Sequence, residues 1–388
     1  MLAHTYLYDT LLKVFILIDL NLSKPLRTTL AELIVCLLEN NKAHISKLGE
    51  TLSIDDVSTM ACIQRIRRFL SNKKISPTIT LMPLIYLLRP ILEKLPEIIL
   101  IIDRTDWDKR CKHINILSVA ISYKGRALPF MWIVFGRKGS SSLDQWKEVL
   151  GPAIEALRKM EWLSDKHIHV VADREFASPK LAEWLTTTYK NVDATLRIKA
   201  SMYLKSDDMP ETKVATLIQR MVKGNRYHLH NQILTRDSSF KMDVLLTWKK
   251  EYDEPLVVAT TSSNPDRVDE VYGLRFGIEP MHKDWKTNAF ELEKTRVTDP
   301  KRIETLLIPI AFAYILCVIA GEEKEERGEV RKPPKGKKRM VGLFLNGIRT
   351  ISNHIRRASI EKFREFIIGL MLPFCEASGV HPSDILPI

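Results

Sequence analysis

Cysteine is scarce in this chain: five in 388 residues (Cys36, Cys62, Cys111, Cys317, Cys375), with no C-x-x-C pair among them. That excludes a disulfide-stapled scaffold, argues against a zinc knuckle and points to a reducing compartment. A targeting signal is missing too. The apolar stretch Leu11–Leu22 is interrupted by Lys13 and Asp19, and no small-residue cleavage site follows it. No apolar run reaches the ~20 residues of a bilayer span. The most apolar segment, Leu306–Ala320, is shorter and carries Pro309, so a buried core helix is expected, with no membrane partner. No internal repeat is present. Apolar residues themselves are not lacking: at 45% they exclude long intrinsic disorder and suffice for one large domain or two to three ordinary ones.

Positive charge is what the chain has in excess. Lys and Arg number 59 against 47 Asp and Glu, a formal net charge of +12. Such an excess draws polyanions through counterion release. A basic soluble protein without such a partner satisfies the same arithmetic.

Five regions follow from the patterning. Residues 1–95 read as helices, a helical N-terminal DNA-binding region in which Thr29–Asn40 and Ser53–Asn72 carry apolar residues at helical spacing. Arg65, Arg67 and Arg68 near the end of the second either complement its dipole or lie on DNA phosphates. Residues 96–198 change period. Ile98–Ile102 is a buried strand ending in Asp103, and Ile114–Ile121 and Ala127–Phe135 form a hairpin turned at Lys124-Gly125. Helix Leu143–Arg158, strand His167–Ala172 ending in Asp173, helix Pro179–Tyr189 and strand Ala194–Ile198 complete a mixed α/β layer. Residues 199–262 alternate short β-prone pieces (Lys213–Gln219, Tyr227–Leu234, Lys241–Trp248, Leu256–Thr261) with polar turns, as an inserted all-β unit does. Residues 263–321 return to helix at Pro265–Lys286 and Arg302–Ala320. Residues 322–388 hold a charged linker, basic at Arg331–Arg339, and a helical tail at Val341–Met371.

Two strands thus each deliver an aspartate where the chain is expected to leave the sheet, the place where functional groups collect in α/β layers. A turn or helix-cap role accounts for either one alone. The third element is the helix Pro265–Lys286. At ~100° per residue, Tyr272, Arg275, Glu279 and Lys286 share an arc of about 60°. Val271, Leu274, Ile278, Met281 and Trp285 fill a separate apolar sector. One acid, a Tyr and two cations on one face suit phosphate binding around a metal; a solvated face is the alternative. Pro280, Gly273 and Gly277 weaken this helix, and the proline is expected to kink it and aim Glu279.

These residues carry a resemblance. Tyr272, Arg275, Glu279 and Lys286 match the Y-x2-R-x3-E-x6-K signature of a group of DDE transposases of bacterial insertion sequences. Asp103 in Ile-Ile-Asp-Arg-Thr-Asp-Trp resembles the first aspartate segment of that family, and Asp173 in Val-Ala-Asp-Arg-Glu-Phe the second. The β-rich insertion before the glutamate fits as well, and the likeness covers about residues 95–320.

The resemblance implies an RNase H-like core in which Asp103, Asp173 and Glu279 are the catalytic acids and hold two Mg2+ ions, with Mn2+ possible in their place. Carboxylates are hard ligands suited to such ions, and two-metal sites promote in-line phosphoryl displacement. It implies nicking at the ends of the element, then attack of the freed 3′-hydroxyl on target DNA. The partners are then double-stranded DNA, as terminal inverted repeats and as target, and a second copy of the chain to bring two ends together, in the bacterial cytoplasm. Tyr272, Arg275 and Lys286 are expected on the DNA backbone near the cleaved phosphate. Arg104 and Arg174, each just after an aspartate, either place phosphates or pair locally. One departure concerns the tryptophan that some relatives stack on a flipped base: Leu256 stands near that position, and Trp248 is a nearby substitute or a sheet-packing residue. The competing readings are an RNase H-like nuclease without strand transfer, an inactive DNA-binding derivative, and a membrane-associated protein.

Other clusters compete for attention. Asp106, Asp108 and Glu175 crowd the expected site, and Glu175 ranks below Glu279 because it lacks phosphate-binding neighbours. His167/His169 and His228/His230 are x-His-x-His pairs on strands, an arrangement that serves either a sheet face or a zinc ion.

Overall fold

The structure is a computed structural model that describes residues 3–18, 20–52, 57–109, 112–235, 238–329 and 342–387. The basic tract 331–339, Cys111 and the first residues of the expected helix Ser53–Asn72 lie outside those residues.

Apolar spacing builds the N-terminal region as α1 (Ala3–Leu17), α2 (Lys24–Asn40), α3 (Ile45–Leu52), α4 (Thr59–Leu70) and α5 (Leu81–Leu92). The chain enters α4 at Thr59 because the Ser58 hydroxyl accepts the Ala61 N–H and caps the helix there. Arg65 pairs with Glu32 of α2 at 2.9 Å, while Arg67 and Arg68 occupy the last turn of α4.

The sheet follows. β1 (Ile98–Lys109), β2 (Lys112–Tyr123) and β3 (Arg126–Phe135) are an antiparallel meander, and Lys124 and Gly125 turn the second hairpin at φ of 45° and 76°. After α6 (Leu143–Arg158) come β4 (Ile168–Ala172), α7 (Pro179–Thr188) and β5 (Val192–Arg197). β4 runs parallel to β1, and β5 parallel to β4. Then come β6 (Tyr203–Ser206), β7 (Met209–Lys213), α8 (Val214–Gln219), β8 (Arg226–Ile233), β9 (Lys241–Thr247) and β10 (Leu256–Thr260). The strand order is β3-β2-β1-β4-β5-β10-β9-β8-β6-β7. The described residues are therefore mixed α/β around a ten-stranded sheet.

Three expectations need correction. β1 does not stop at Ile102, because β2 pairs with it as far as Lys109. What stops is the parallel ladder to β4, whose last pair is Ile102↔Ala172. Asp103 therefore lies in mid-strand, where β1 loses one neighbour, and Asp173 follows the last residue of β4. The insertion is neither detached nor all-β. β10 hydrogen-bonds to β5 and extends the core sheet, and Lys213–Gln219, expected as a β-prone piece, forms α8 with Val214, Leu217 and Ile218 at helical spacing.

The third correction is Pro265–Lys286, which is one contiguous helical run but not a regular α-helix. A 3-10 turn (Pro265–Arg267), α9 (Val268–Gly273), a second 3-10 turn (Leu274–Gly277), α10 (Ile278–Lys283) and a π turn (Asp284–Asn288) follow one another. The changes of helical winding fall at Gly273 and Gly277, whose backbones stay right-handed helical. Pro280 causes none, because it sits in the first turn of α10, where a backbone N–H has no intrahelical partner to lose. Gly277 meets a packing demand: a Cβ there would stand 2.8 Å from the Arg126 backbone at the start of β3. Beyond it, the buried Arg126–Asp284 pair (2.6 Å) anchors the π turn to the sheet.

α11 (Pro300–Glu326) is long and apolar enough to cross a bilayer by composition, yet 94% of its most apolar window is buried inside the protein. It is the core helix, packed on β3, α2 and α12 (Leu343–Arg357), with α13 (Ile360–Ser378) and α14 (Pro382–Ile385) completing the helical C-terminal region. A Cβ on Gly347 would overlap the Cys317 carbonyl, so α11 and α12 touch through backbone. Glu304 of α11 closes the edge of the sheet: its carboxylate accepts the Val134 N–H of β3 at 3.0 Å, and its carbonyl accepts the Trp132 indole N–H at 2.9 Å.

Candidate active site

Asp103 and Asp173 stand side by side at the mouth opened by the end of the β1–β4 ladder. Neither is free. The Arg104 N–H donates to Asp103 Oδ1 at 2.8 Å, and Arg275 Nη1 lies 3.3 Å from Asp103 Oδ2. The Tyr272 hydroxyl donates to Asp173 Oδ1 at 3.3 Å, with Arg197 Nη1 of β5 at 3.8 Å from the same oxygen. Arg275 Nη2 reaches Glu279 Oε1 at 2.9 Å. One guanidinium therefore bridges an acid of the sheet and the acid of the helical segment, and one phenol ties that segment to the second acid. The segmented helix places these groups because its 3-10 turn presents Arg275 to the sheet while α10 carries Glu279 to the rim.

Burial sorts the acids. The side chain of Arg275 is 5% exposed and that of Asp103 is 17%, whereas Glu279 is 57% exposed. Burial pushes the Asp103 carboxyl up to about 6, and Asp173 and Glu279 add in the same direction; Arg275 and the Arg104 N–H oppose them. Burial likewise drives the Tyr272 hydroxyl up to about 12, which keeps it a donor to Asp173. Arg275 is held charged above its ordinary value: burial opposes this, and Tyr272 and the acids outweigh it.

A cleft of about 360 Å3 opens on this cluster, lined by Asp103, Arg104, Glu279, His282, Lys286 and Glu293 among others. Its back wall is His282, whose Nε2 lies 2.9 Å from the Ser118 hydroxyl, which in turn donates to the Asp103 carbonyl at 3.3 Å. Burial, then Lys286 and Arg275, lower His282 to about 3, so it is neutral.

The remaining expected residues are placed differently. Lys286 is carried by the π turn to the Asp106 carbonyl (3.0 Å) and Glu293 (3.4 Å), on the cleft wall and away from the Arg275 bridge. Arg104 pairs locally: its Nε lies 2.9 Å from both Glu175 oxygens, and its Nη1 donates to the Gly139 carbonyl at 2.9 Å. Glu175 also accepts the Ser141 N–H and hydroxyl at 3.1 and 3.0 Å, so it is consumed as an anchor. Arg174 is exposed. Asp106 and Asp108 pair with His113 at 3.1 and 2.8 Å. Trp248 sits in the turn after β9, half-buried, its indole N–H donating to the Tyr252 carbonyl at 3.1 Å. Leu256 packs beside Leu245, Val258, Val268 and Tyr272.

Two residues escaped the sequence reading. Phe276 is 49% exposed, and the Arg275 guanidinium lies 4.7 Å from its ring centre, so it offers an aromatic face beside the acids. Its position four after Tyr272 puts it at the edge of the loaded helix face, a signal that was available. Arg197 at the end of β5 is the strand-end counterpart of Asp173.

As donors, the three carboxylates suit hard divalent cations. Their convergence is partial. Among the described residues, the groups whose ligand atoms meet within 4.8 Å are Glu97–His167–His169 and His228–His230–Asp243, not the three acids. Arg275 fills the space between Asp103 and Glu279, and the long exposed Glu279 side chain is the part able to adjust.

Residues 94–316, more than half of the chain, match the family described as "Transposase DDE domain". The chain is also similar to the piggyBac transposase in a cryo-EM structure of its synaptic complex with hairpin DNA. The two share 12% identity and a TM-score of 0.44, over 99% of this chain and 83% of that one. No curated protein matches it.

Proposed function

This chain belongs to the DDE transposase family, and from that premise we propose that it is the transposase of a bacterial insertion sequence, acting in the cytoplasm on the ends of its own element. It nicks those ends and joins the freed 3′-hydroxyl to target DNA. The observation that carries this reading is the placing of Asp103 and Asp173 just beyond the last pair, Ile102↔Ala172, of the parallel β1–β4 ladder, tied through Arg275 and Tyr272 to the segment bearing Glu279. Its core is read as RNase H-like, with 199–262 as the insertion and 1–95 as a further DNA-contacting region.

Asp103, Asp173 and Glu279 would hold two divalent ions, Mg2+ by preference. Bound there, such ions supply Lewis-acid polarisation of the scissile phosphate and a more acidic attacking hydroxyl. The chain supplies the rest. Arg275 and Tyr272, both buried, balance and hold the acids, while Lys286 on the cleft wall offers the phosphate backbone a point charge. Neutral His282 behind Asp103 adds no competing cation. Phe276 presents a ring to an unstacked base. A homodimer would bring two ends together.

The test uses terminal fragments from the DNA flanking the coding sequence, 5′-labelled and incubated with the chain, Mg2+ and a supercoiled target. Fragments joined to target DNA are expected. Nicks without joined product would favour a nuclease, and binding without nicks an inactive derivative; either result overturns the proposal.

A further inference from the structure

We propose that His228, His230 and Asp243, on the outer part of the sheet, form a binding site for a transition-metal ion of the Zn2+ class. The inference is independent of the transposase reading.

The site is built by a β-bulge. Between the pairs Leu229↔Val244 and Gln232↔Met242, both His230 and Asn231 oppose the single residue Asp243. Asn231 takes up the extra residue at φ 52°. The bulge brings the imidazoles of His228 and His230 to a centroid distance of 3.9 Å with 52° between their planes. His228 Nε2 and His230 Nδ1 both point at Asp243 Oδ2, at 2.8 and 3.1 Å. The Asn231 N–H holds the other oxygen, Oδ1, at 3.0 Å and so aims Oδ2 at the two rings.

Two nitrogens and one oxygen therefore converge on one point. Ligand atoms around a tetrahedral ion with ~2.0–2.1 Å bonds stand about 3.4 Å apart. Seating the ion takes an opening of about 0.3 Å at His230, whose side chain is 68% exposed, and about 0.6 Å between the partly exposed His228 and Asp243. A fourth position then faces solvent. Imidazole nitrogens prefer Zn2+, Co2+ or Ni2+ to Mg2+, so the site discriminates against the ion preferred by three carboxylates.

The other histidine cluster is chemically closed. His167 spends both nitrogens, on Glu97 and Asp193, each at 3.1 Å. Arg267 holds Glu97 at 2.6 Å, and His169 Nε2 lies 2.7 Å from the Thr195 hydroxyl. A guanidinium already occupies the place of the cation there. Among the described residues, the ion pairs of Asp243 Oδ2 are those with His228 and His230.

Purified full-length chain, stripped with chelator, is dialysed against micromolar Zn2+ in millimolar Mg2+, and bound zinc is counted by mass spectrometry. One equivalent is expected in the wild type and in the Asp103→Asn/Asp173→Asn/Glu279→Gln triple variant, and none in His228→Ala/His230→Ala. Substituted Co2+ should show the intense visible bands of a four-coordinate N/O site. Because the double variant removes packing at a bulge, the exposed single change His230→Gln is measured as well; it should keep the fold by circular dichroism and lose zinc affinity about tenfold or more. No zinc in the wild type, zinc retained at full affinity in His230→Gln, or zinc lost instead in His167→Ala would overturn the assignment.

Discussion

Arg275 faces two carboxylates in opposite surroundings, which makes its energetics a test of how the site is held together. Its guanidinium lies 3.3 Å from Asp103, a side chain 17% exposed, and 2.9 Å from Glu279, 57% exposed. Distance alone ranks Glu279 as the stronger partner. Burial reverses that order. Removing one member of a buried ion pair costs ~3–5 kcal/mol, and the partial exposure and longer contact of Asp103 put it below that range, at about 2–3 kcal/mol. An exposed pair contributes about 0.5 kcal/mol or less. Two double-mutant cycles separate these terms: Arg275→Met with Asp103→Asn, and Arg275→Met with Glu279→Gln. Urea unfolding followed by tryptophan fluorescence, without divalent metal, should give a coupling near 2 kcal/mol in the first cycle and below about 0.5 kcal/mol in the second. Equal couplings, or a larger one with Glu279, would refute the view that Arg275 is chiefly the counter-ion of the buried aspartate.

Glu175→Gln should leave metal-dependent nicking near wild type but lower stability by loosening Arg104 and Ser141, whereas Glu279→Gln should abolish nicking; a gel assay on labelled DNA separates them. Gly347→Ala should destabilise the chain by ~1–3 kcal/mol or more through the α11–α12 contact. Gly273→Ala, with open space around its Cβ, should stabilise it by ~0.5–1 kcal/mol, both read from thermal melts. His282, lowered to about 3, stays neutral in the fold while its unfolded form takes a proton near 6.5, so its stabilising effect is complete above that pH and is lost as pH falls towards 3. At pH 5 the loss is about 2 kcal/mol, and His282→Gln should flatten the stability profile between pH 5 and 6.5. An unchanged slope in that variant would exclude this role.

Much of the fold was legible because the buried strands are continuous apolar runs and the helices keep their period. The positions of Asp103 and Asp173 next to the ends of apolar strand segments, and of Glu279 on a helical segment, were legible from spacing. What each residue meets was not. Azimuth on a helical wheel puts Arg275 and Lys286 on one face, but the 3-10 turn at Leu274–Gly277 and the π turn at Asp284–Asn288 send one to Asp103 and the other to the Asp106 carbonyl. β1 outruns its apolar run because polar residues beyond Ile102 pair with β2, and pairing partners are not written locally. Lys213–Gln219 was too short to tell strand from helix by period. The bulge that joins His228 to His230 depends on Asn231 adopting a left-handed backbone, which composition alone does not announce.

In the proposed reaction three acids act as one unit on a DNA phosphate. Its most direct test is single-turnover cleavage of labelled element-end DNA in Mg2+ by the wild type and by Asp103→Asn, Asp173→Asn and Glu279→Gln, with binding measured in parallel. A nick leaving a 3′-hydroxyl is expected from the wild type alone, with all four chains binding DNA. Cleavage at wild-type rate by any of the three variants would contradict it.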